Sequence, residues 1–218
     1  MKIKKVLKIF GIIIAILIIL VLINTIRNYV IITILQDKIS QYSNSSNYYI
    51  KSVVTEYDGT IWIIEYYKKD NKQVVFLERN LNGEISKISI YNNGERTDTF
   101  WDNKENKTVQ LDSGTIMEIN IYNFTETDNN WQTFIGSIFT KVKSTNYNGK
   151  ECYIIKGFLS SNSLTFEDAE TYIEKDTGLF VKTTGGNTTT EREYKFDSVE
   201  DTIFSEPDIS QYTLKEKE

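Results

Sequence analysis

Histidine is absent from this 218-residue chain, and cysteine and proline each occur once. Without histidine, Ser-His-Asp and Cys-His catalysis, the usual zinc ligand sets and the commonest general base near neutral pH are all excluded. A lone Cys152 allows neither an intramolecular disulfide nor a thiol redox pair. It lies in the apolar run Cys152-Tyr153-Ile154-Ile155 and reads as a buried, inert thiol. It is also far from the N-terminal apolar stretch, where a lipobox cysteine would sit. The sequence contains no G-x-S-x-G, no P-loop and no G-x-G-x-x-G after a strand. No catalytic residue, metal ligand or cofactor is therefore assigned, and the chain reads as non-enzymatic. Thirty acidic residues leave paired-carboxylate chemistry formally open. Glu65, inside an aromatic strand, is the first to inspect, although alternation predicts an outward, solvated side chain. The cluster Glu167/Asp168/Glu170 matches no EF-hand spacing and reads as a solvated face.

Charge is unevenly spread. Lys2, Lys4, Lys5, Lys8 and Arg27 put five positive charges in the first 27 residues with no acid among them, which leaves 20 basic and 30 acidic residues beyond. An acidic outer part argues against nucleic acid, since phosphate binding needs clustered Lys and Arg. Residues Ile9 to Ile23 form an unbroken apolar run. Extended from Val6 to Ile26 it covers about 31 Å as a helix, enough for a bilayer core, with Lys8 snorkelling to the headgroups. A cleaved signal peptide is the competing reading, but Leu22-Ile23-Asn24-Thr25-Ile26-Arg27 holds no small-residue cleavage pattern. The expectation is an uncleaved signal anchor, single-pass, with the lysine-rich N-terminus cytoplasmic and everything after Arg27 outside.

What is plentiful is aromatic and β-branched sequence: 14 Tyr, 11 Phe and three Trp, a composition that favours strands. Residues 28–41 come first, with Val30, Ile31, Ile34, Leu35 and Ile39 at near-helical spacing, an amphipathic helix continuous with the anchor. After Ser43–Asn47 the pattern turns to strands at 48–57, 60–70, 72–80 and 84–94, with Asp58-Gly59 and Asn82-Gly83 as hairpin signals. Short strands follow around Thr97–Trp101 and Thr108–Leu111, giving an antiparallel meander. Within 128–142, Trp131, Phe134, Ile135, Ile138 and Phe139 mark one apolar face of a helix with Thr127 or Asp128 as N-cap. Core packing and ligand contact both predict that stripe. Strands resume at 150–158 after Asn148-Gly149, pass a polar stretch at 160–170, then form a hairpin over 170–185 about Lys175–Gly178. A last strand at 191–200 leads to Pro207, where a ladder cannot continue. Sequons at Asn44, Asn106, Asn123 and Asn187 are common by chance in so Asn- and Thr-rich a chain.

The C-terminal third carries a family likeness. Tyr172-Ile-Glu-Lys-Asp176-Thr-Gly178-Leu-Phe-Val-Lys182, then Tyr194-Lys-Phe196-Asp-Ser-Val199, then Asp201-x-x-Phe204-x-x-Pro207-Asp208-x-Ser210-x-Tyr212 resemble the closing segment of the LolA-like lipoprotein carrier superfamily. The resemblance extends over 28–212 and is specific over about 170–212. It implies an α+β, mainly antiparallel fold: a half-open β-barrel of about eleven strands with helices on its concave face, here preceded by one transmembrane helix. It further implies non-covalent holding of an acyl chain between sheet and helix. Classical carriers are soluble shuttles, so a tethered chain fits a bacterium with one membrane and a stationary carrier, presenter or sensor.

The division expected is 1–27 for cytoplasmic stub and anchor, 28–212 for the outer domain and 213–218 for a polar tail. The ligand expected is a lipid or lipoprotein acyl chain. Trp62, Ile64 and Tyr66, on one strand face, and Trp131, Phe134 and Ile138, on the helix, are the candidate cavity wall. The alternative is an envelope signalling module whose outer domain binds a partner protein, the cytoplasmic stub being too short for an output domain of its own.

Overall fold

The long apolar start of the chain is one helix, α1 (Lys2–Ser40), with no break between the bilayer-length run and the amphipathic stretch after it. By length and composition it can cross a membrane. A computed structural model describes residues 2–42, 44–103, 106–112, 130–157 and 169–215. The candidate N-cap Thr127 or Asp128, the acids Glu167 and Asp168, the polar stretch up to 168 and the sequon at Asn123 lie outside these residues.

The β-branched and aromatic runs form β1 (Asn47–Glu56), β2 (Ile61–Lys69), β3 (Lys72–Leu81), β4 (Glu84–Asn92), β5 (Thr97–Asn103) and β6 (Lys107–Gln110). Helix α2 (Asn130–Phe139) follows. After it come β7 (Lys141–Tyr147), β8 (Lys150–Lys156), β9 (Glu170–Glu174), β10 (Phe180–Gly185) and β11 (Thr188–Phe196). Two 3-10 turns, Asp201–Phe204 and Ile209–Gln211, then lead to the two-residue β12 (Thr213–Leu214). Among the described residues the fold is α+β, a twelve-stranded, mostly antiparallel open sheet with two helices. The expected eleven strands become twelve because β12 pairs in parallel with β6.

The chain divides into two compact units, residues 1–41 with 122–179 and residues 42–121 with 180–218. In the second unit the strand order is β12-β6-β5-β4-β3-β2-β1-β11-β10, so each meander strand lies beside its sequence neighbour. In the first it is β9-β8-β7. Both Asn-Gly hairpins behave as their sequence demands: Asn82, Gly83, Asn148 and Gly149 all take positive φ, the twist that suits two-residue turns between right-twisted strands.

Three local readings are corrected. The helix expected to run through Val142 ends at Phe139, and β7 begins at Lys141. The strand was hidden because Lys141, Lys143 and Asn146 are solvent-facing and give it no apolar alternation. In α1, Asn28, Ile32, Leu35 and Ile39 are buried while Val30 and Ile34 point outward. In α2 the buried side is Thr133, Gly136, Ser137 and Thr140, while Trp131, Ile135, Ile138 and Phe139 are exposed. Small residues let the two helix backbones approach closely, so the pair packs through them and turns the bulky stripe out.

Candidate functional site

The register of the second unit sorts its side chains onto two faces. One carries a ladder of six rings: Tyr49 on Tyr67 (4.7 Å), Tyr67 on Phe76 (5.7 Å), Phe76 on Tyr91 (6.0 Å), Tyr91 on Phe100 (5.5 Å) and Phe100 on Tyr212 (5.1 Å). The tilted and edge-on geometries are those aromatic quadrupoles favour. The chain end seals this face. Phe204, in the first 3-10 turn, and Tyr212, just after the second, pack on a buried cluster of Val74, Tyr91, Phe100 and Val109. Asp208 accepts from the Ser210 amide at 3.0 Å and shapes the second turn. At the rim Lys69 pairs with Asp201 (2.9 Å), and Arg96 bridges Asp98 (2.8 Å) and Glu206 (2.9 Å). Burial, helped by Tyr212 and Glu206, pushes the Tyr91 phenol up to about 12.

Glu65 belongs to this sealed face. It accepts the Tyr49 hydroxyl at 2.8 Å. Burial first, then that hydrogen bond, holds the Tyr49 phenol well above its ordinary range. The residue with most claim to carboxylate chemistry is thus engaged as a structural acceptor. A cavity of about 270 Å³ opens at the seam between sheet and chain end, lined by Lys72, Tyr91, Asn92, Asp201, Phe204 and Glu206 among others. It is smaller than the usual range of roughly 300–1,000 Å³ for small-molecule sites, and its lining mixes polar and apolar side chains.

The opposite face holds the sequence-predicted strand residues. Pairing places Ile50, Tyr66, Val75 and Ile90 in one row across β1 to β4, and Ser52, Ile64, Leu77, Ile88 and Trp101 in the next. A third row runs Val54, Trp62, Arg79 and Ser86. Burial fades along the strands. Ile50, Tyr66 and Val75 are fully buried, whereas Ile64, Leu77, Ile88 and Trp101 are half-buried, as are Trp62 and Val54. The indole of Trp62 donates to Glu56 Oε1 at 3.0 Å, and the Arg79 guanidinium lies 5.2 Å above the same ring. Arg192 stands opposite Ser52 across β11. Nε of Arg79 and Nε of Arg192 are buried with no acceptor among the described residues. Sequence reasoning missed both arginines. Their one signal was a cation at an inward position of an otherwise apolar alternation.

The helical residues sit in the first unit. The Tyr29 ring meets Phe134 edge-on at 5.7 Å, and Trp131 stacks on Phe134 at 6.0 Å. Ile138 is exposed. Asn28, completely buried, donates through Nδ2 to the carbonyls of Ser137 (3.3 Å) and Thr140 (2.7 Å), satisfying the C-terminal end of α2. Its part was legible in the spacing Thr25, Asn28, Ile32, Leu35, Ile39, which alternates steps of three and four.

The acidic turn of the family-like motif has a geometric reason for its glycine. Gly178 has φ +74, and a Cβ there would come within 2.5 Å of the Leu35 carbonyl. Only glycine lets this turn lie on α1. Thr177 bridges the turn, donating to Glu174 at 2.9 Å and accepting from the Leu179 amide at 3.2 Å. Cys152 is buried in β8, and burial pushes its thiol up. Among the described residues no group of three or more Cys, Asp or Glu could hold a metal ion.

Neither a protein-family model nor a curated protein matches this sequence. Solved structures give loose likenesses. An uncharacterized conserved protein from Thermus thermophilus aligns at TM-score 0.45 and 10% identity, over 83% of this chain and 97% of that one. A domain described provisionally as an outer membrane lipoprotein-sorting protein, from Vibrio parahaemolyticus, gives 0.30 and 11% over 79% and 95%. A LolA superfamily protein from Nitrosomonas europaea gives 0.28 and 9% over 79% and 96%. At these scores the likeness is one of general outline, and no functional argument rests on it.

Proposed function

We propose that this protein is a non-enzymatic binder of lipid or lipoprotein acyl chains, held by residues 6–26 at the outer face of a cytoplasmic membrane. The observation that carries the reading is the half-buried apolar row Ile64, Leu77, Ile88 and Trp101 on a sheet whose other face is already sealed by the chain's own end. Apolar surface of this extent gains about 0.8 kcal/mol per methylene it removes from water. The Nε–H groups of Arg79 and Arg192 on the same face, without an acceptor among the described residues, favour a ligand with a polar acceptor beside its chain. On that face the half-buried Trp62 and Ile64 supply the accessible sheet wall, with Tyr66 buried in the next row. The lysines ahead of the apolar run favour a cytoplasmic N-terminus. Residues 1–27 then serve as stub and anchor and 28–212 as the binding domain, with Thr213 and Leu214 of the expected tail joined to its sheet as β12.

Retention of a fluorescent fatty-acyl probe by the full chain tests the reading. The double variant Ile64→Glu/Leu77→Glu should weaken it by about tenfold or more, since each charge would have to be buried against the chain. Lys87→Glu, on the sealed side of the sheet, should leave it unchanged. Equal retention by all three proteins would overturn the proposal.

A further inference from the structure

Helix α2 is built against the habit of a soluble helix. Its buried side is hydroxyls and a glycine, and its outer side is Trp131 (65% exposed), Ile135 (38%), Ile138 (38%) and Phe139 (70%). It carries no charged residue. The bulky residues fall at i, i+4, i+7 and i+8, one continuous stripe. Ser137 and Thr140 return their hydroxyls to the carbonyls of Thr133 and Gly136 (2.7 and 2.9 Å), so both are paired within the helix turn.

Its position identifies what covers the stripe. Helix α2 meets α1 at Asn28 and Tyr29, two and three residues past Ile26, where the bilayer-length run ends. At about 1.5 Å of rise per residue, that contact is only about 5 Å along the axis from the end of the apolar run, within the headgroup layer. Exposed cations flank it: Arg27 on α1, and Lys141 and Lys143 at the start of β7. Tryptophan at this depth, apolar neighbours and adjacent cations are the composition of a helix lying in a membrane interface.

We propose that α2 is a second membrane contact, lying in the headgroup layer beside the anchor with Trp131, Ile135, Ile138 and Phe139 in lipid. The occupant is the phospholipid bilayer that α1 crosses. The inference rests on the reading of residues 6–26 as an anchor and extends it: the first unit is fixed to the membrane at two points, which sets its orientation as well as its location.

Depth-dependent quenching with full-length protein in phosphatidylcholine/phosphatidylglycerol vesicles tests it. The variant W62F/W101F leaves Trp131 as the only tryptophan. In parallel, F139C/C152A and I16C/C152A each carry one environment-sensitive fluorophore and keep all native tryptophans, guarding against misfolding of the first variant. Lipids bearing a nitroxide near the headgroup should cut emission from positions 131 and 139 by about twofold or more, and chain-end nitroxides should do less, because interfacial helices sit about 5–10 Å deep. Position 16 should show the reverse depth profile. Quenching at 16 with none at 131 or 139 would overturn the α2 contact and leave the anchor standing. No quenching at any position would overturn the anchor reading, and the α2 contact with it.

Discussion

The two faces of the sheet in the second unit are made of similar residues and end in different states. One binds its rings into a continuous ladder and is closed by Phe204 and Tyr212 from the chain's own end. The other presents rows of similar apolar character, with Ile64, Leu77, Ile88 and Trp101 half-buried and two guanidinium Nε atoms without acceptors among the described residues. Apolar content therefore does not decide which face is closed. What separates them is whether the chain supplies its own lid and satisfies the polar groups beneath it. The sealed face holds the sheet together, and the other leaves part of its apolar surface in water.

The comparison breaks most easily at the centre of the ladder. Phe100→Ala should cost about 3–5 kcal/mol, because it removes a fully buried ring that touches Tyr91 and Tyr212. Chemical denaturation of the detergent-solubilised chain measures it. A loss under about 1 kcal/mol, no more than a surface change would cost, would mean the ladder is not the stabilising face.

Alkali should act on the same face. The Tyr91 phenol is raised to about 12 from an ordinary 10.0, first by burial, so the folded state favours its neutral form. The resulting stability is fully present below pH 10 and is lost as pH climbs from about 10 to about 12. A shift of about two units corresponds to about 2–3 kcal/mol at most. In Tyr91→Phe that part of the alkaline slope should vanish, as unfolding followed across this pH window will show.

On the open face the order of effects reverses. Leu77→Ser should cost about 1–2 kcal/mol in the same denaturation experiment, since its side chain is only half-buried. Yet it should lose most acyl-probe retention, whereas a folded Phe100 variant should keep it. Smallest of all, Asp201→Asn should change stability by less than about 1 kcal/mol, because its pairing with Lys69 is at the surface. A larger loss would give the rim ion pairs a part in closing the sealed face.

Much of this architecture can be read from the residues. The Asp58-Gly59, Asn82-Gly83 and Asn148-Gly149 turns punctuate the strands, and the sheet follows the sequence order they imply. The closing motif is legible because Gly178, Phe204 and Asp208 each answer a specific geometric need: a close approach to α1, a ring for the cluster, a cap for a 3-10 turn. Three features are not. Strand β7 is an edge strand, and its lysines protect the edge at the expense of the alternation that would betray it. The orientation of α2 is hidden because an apolar stripe looks the same whether it meets a protein core or lipid, and here the small residues opposite decide the packing. Arg79 and Arg192 escape notice because strand periodicity registers apolar side chains and is silent about a cation among them.

Native mass spectrometry of the full-length protein, extracted from its membrane in mild detergent, tests the central claim most directly. The account predicts a species heavier than the bare chain by the mass of a lipid or acylated peptide, diminished in the Ile64→Glu/Leu77→Glu variant. A spectrum of bare protein alone, unchanged after incubation with a fatty-acyl probe, would contradict it.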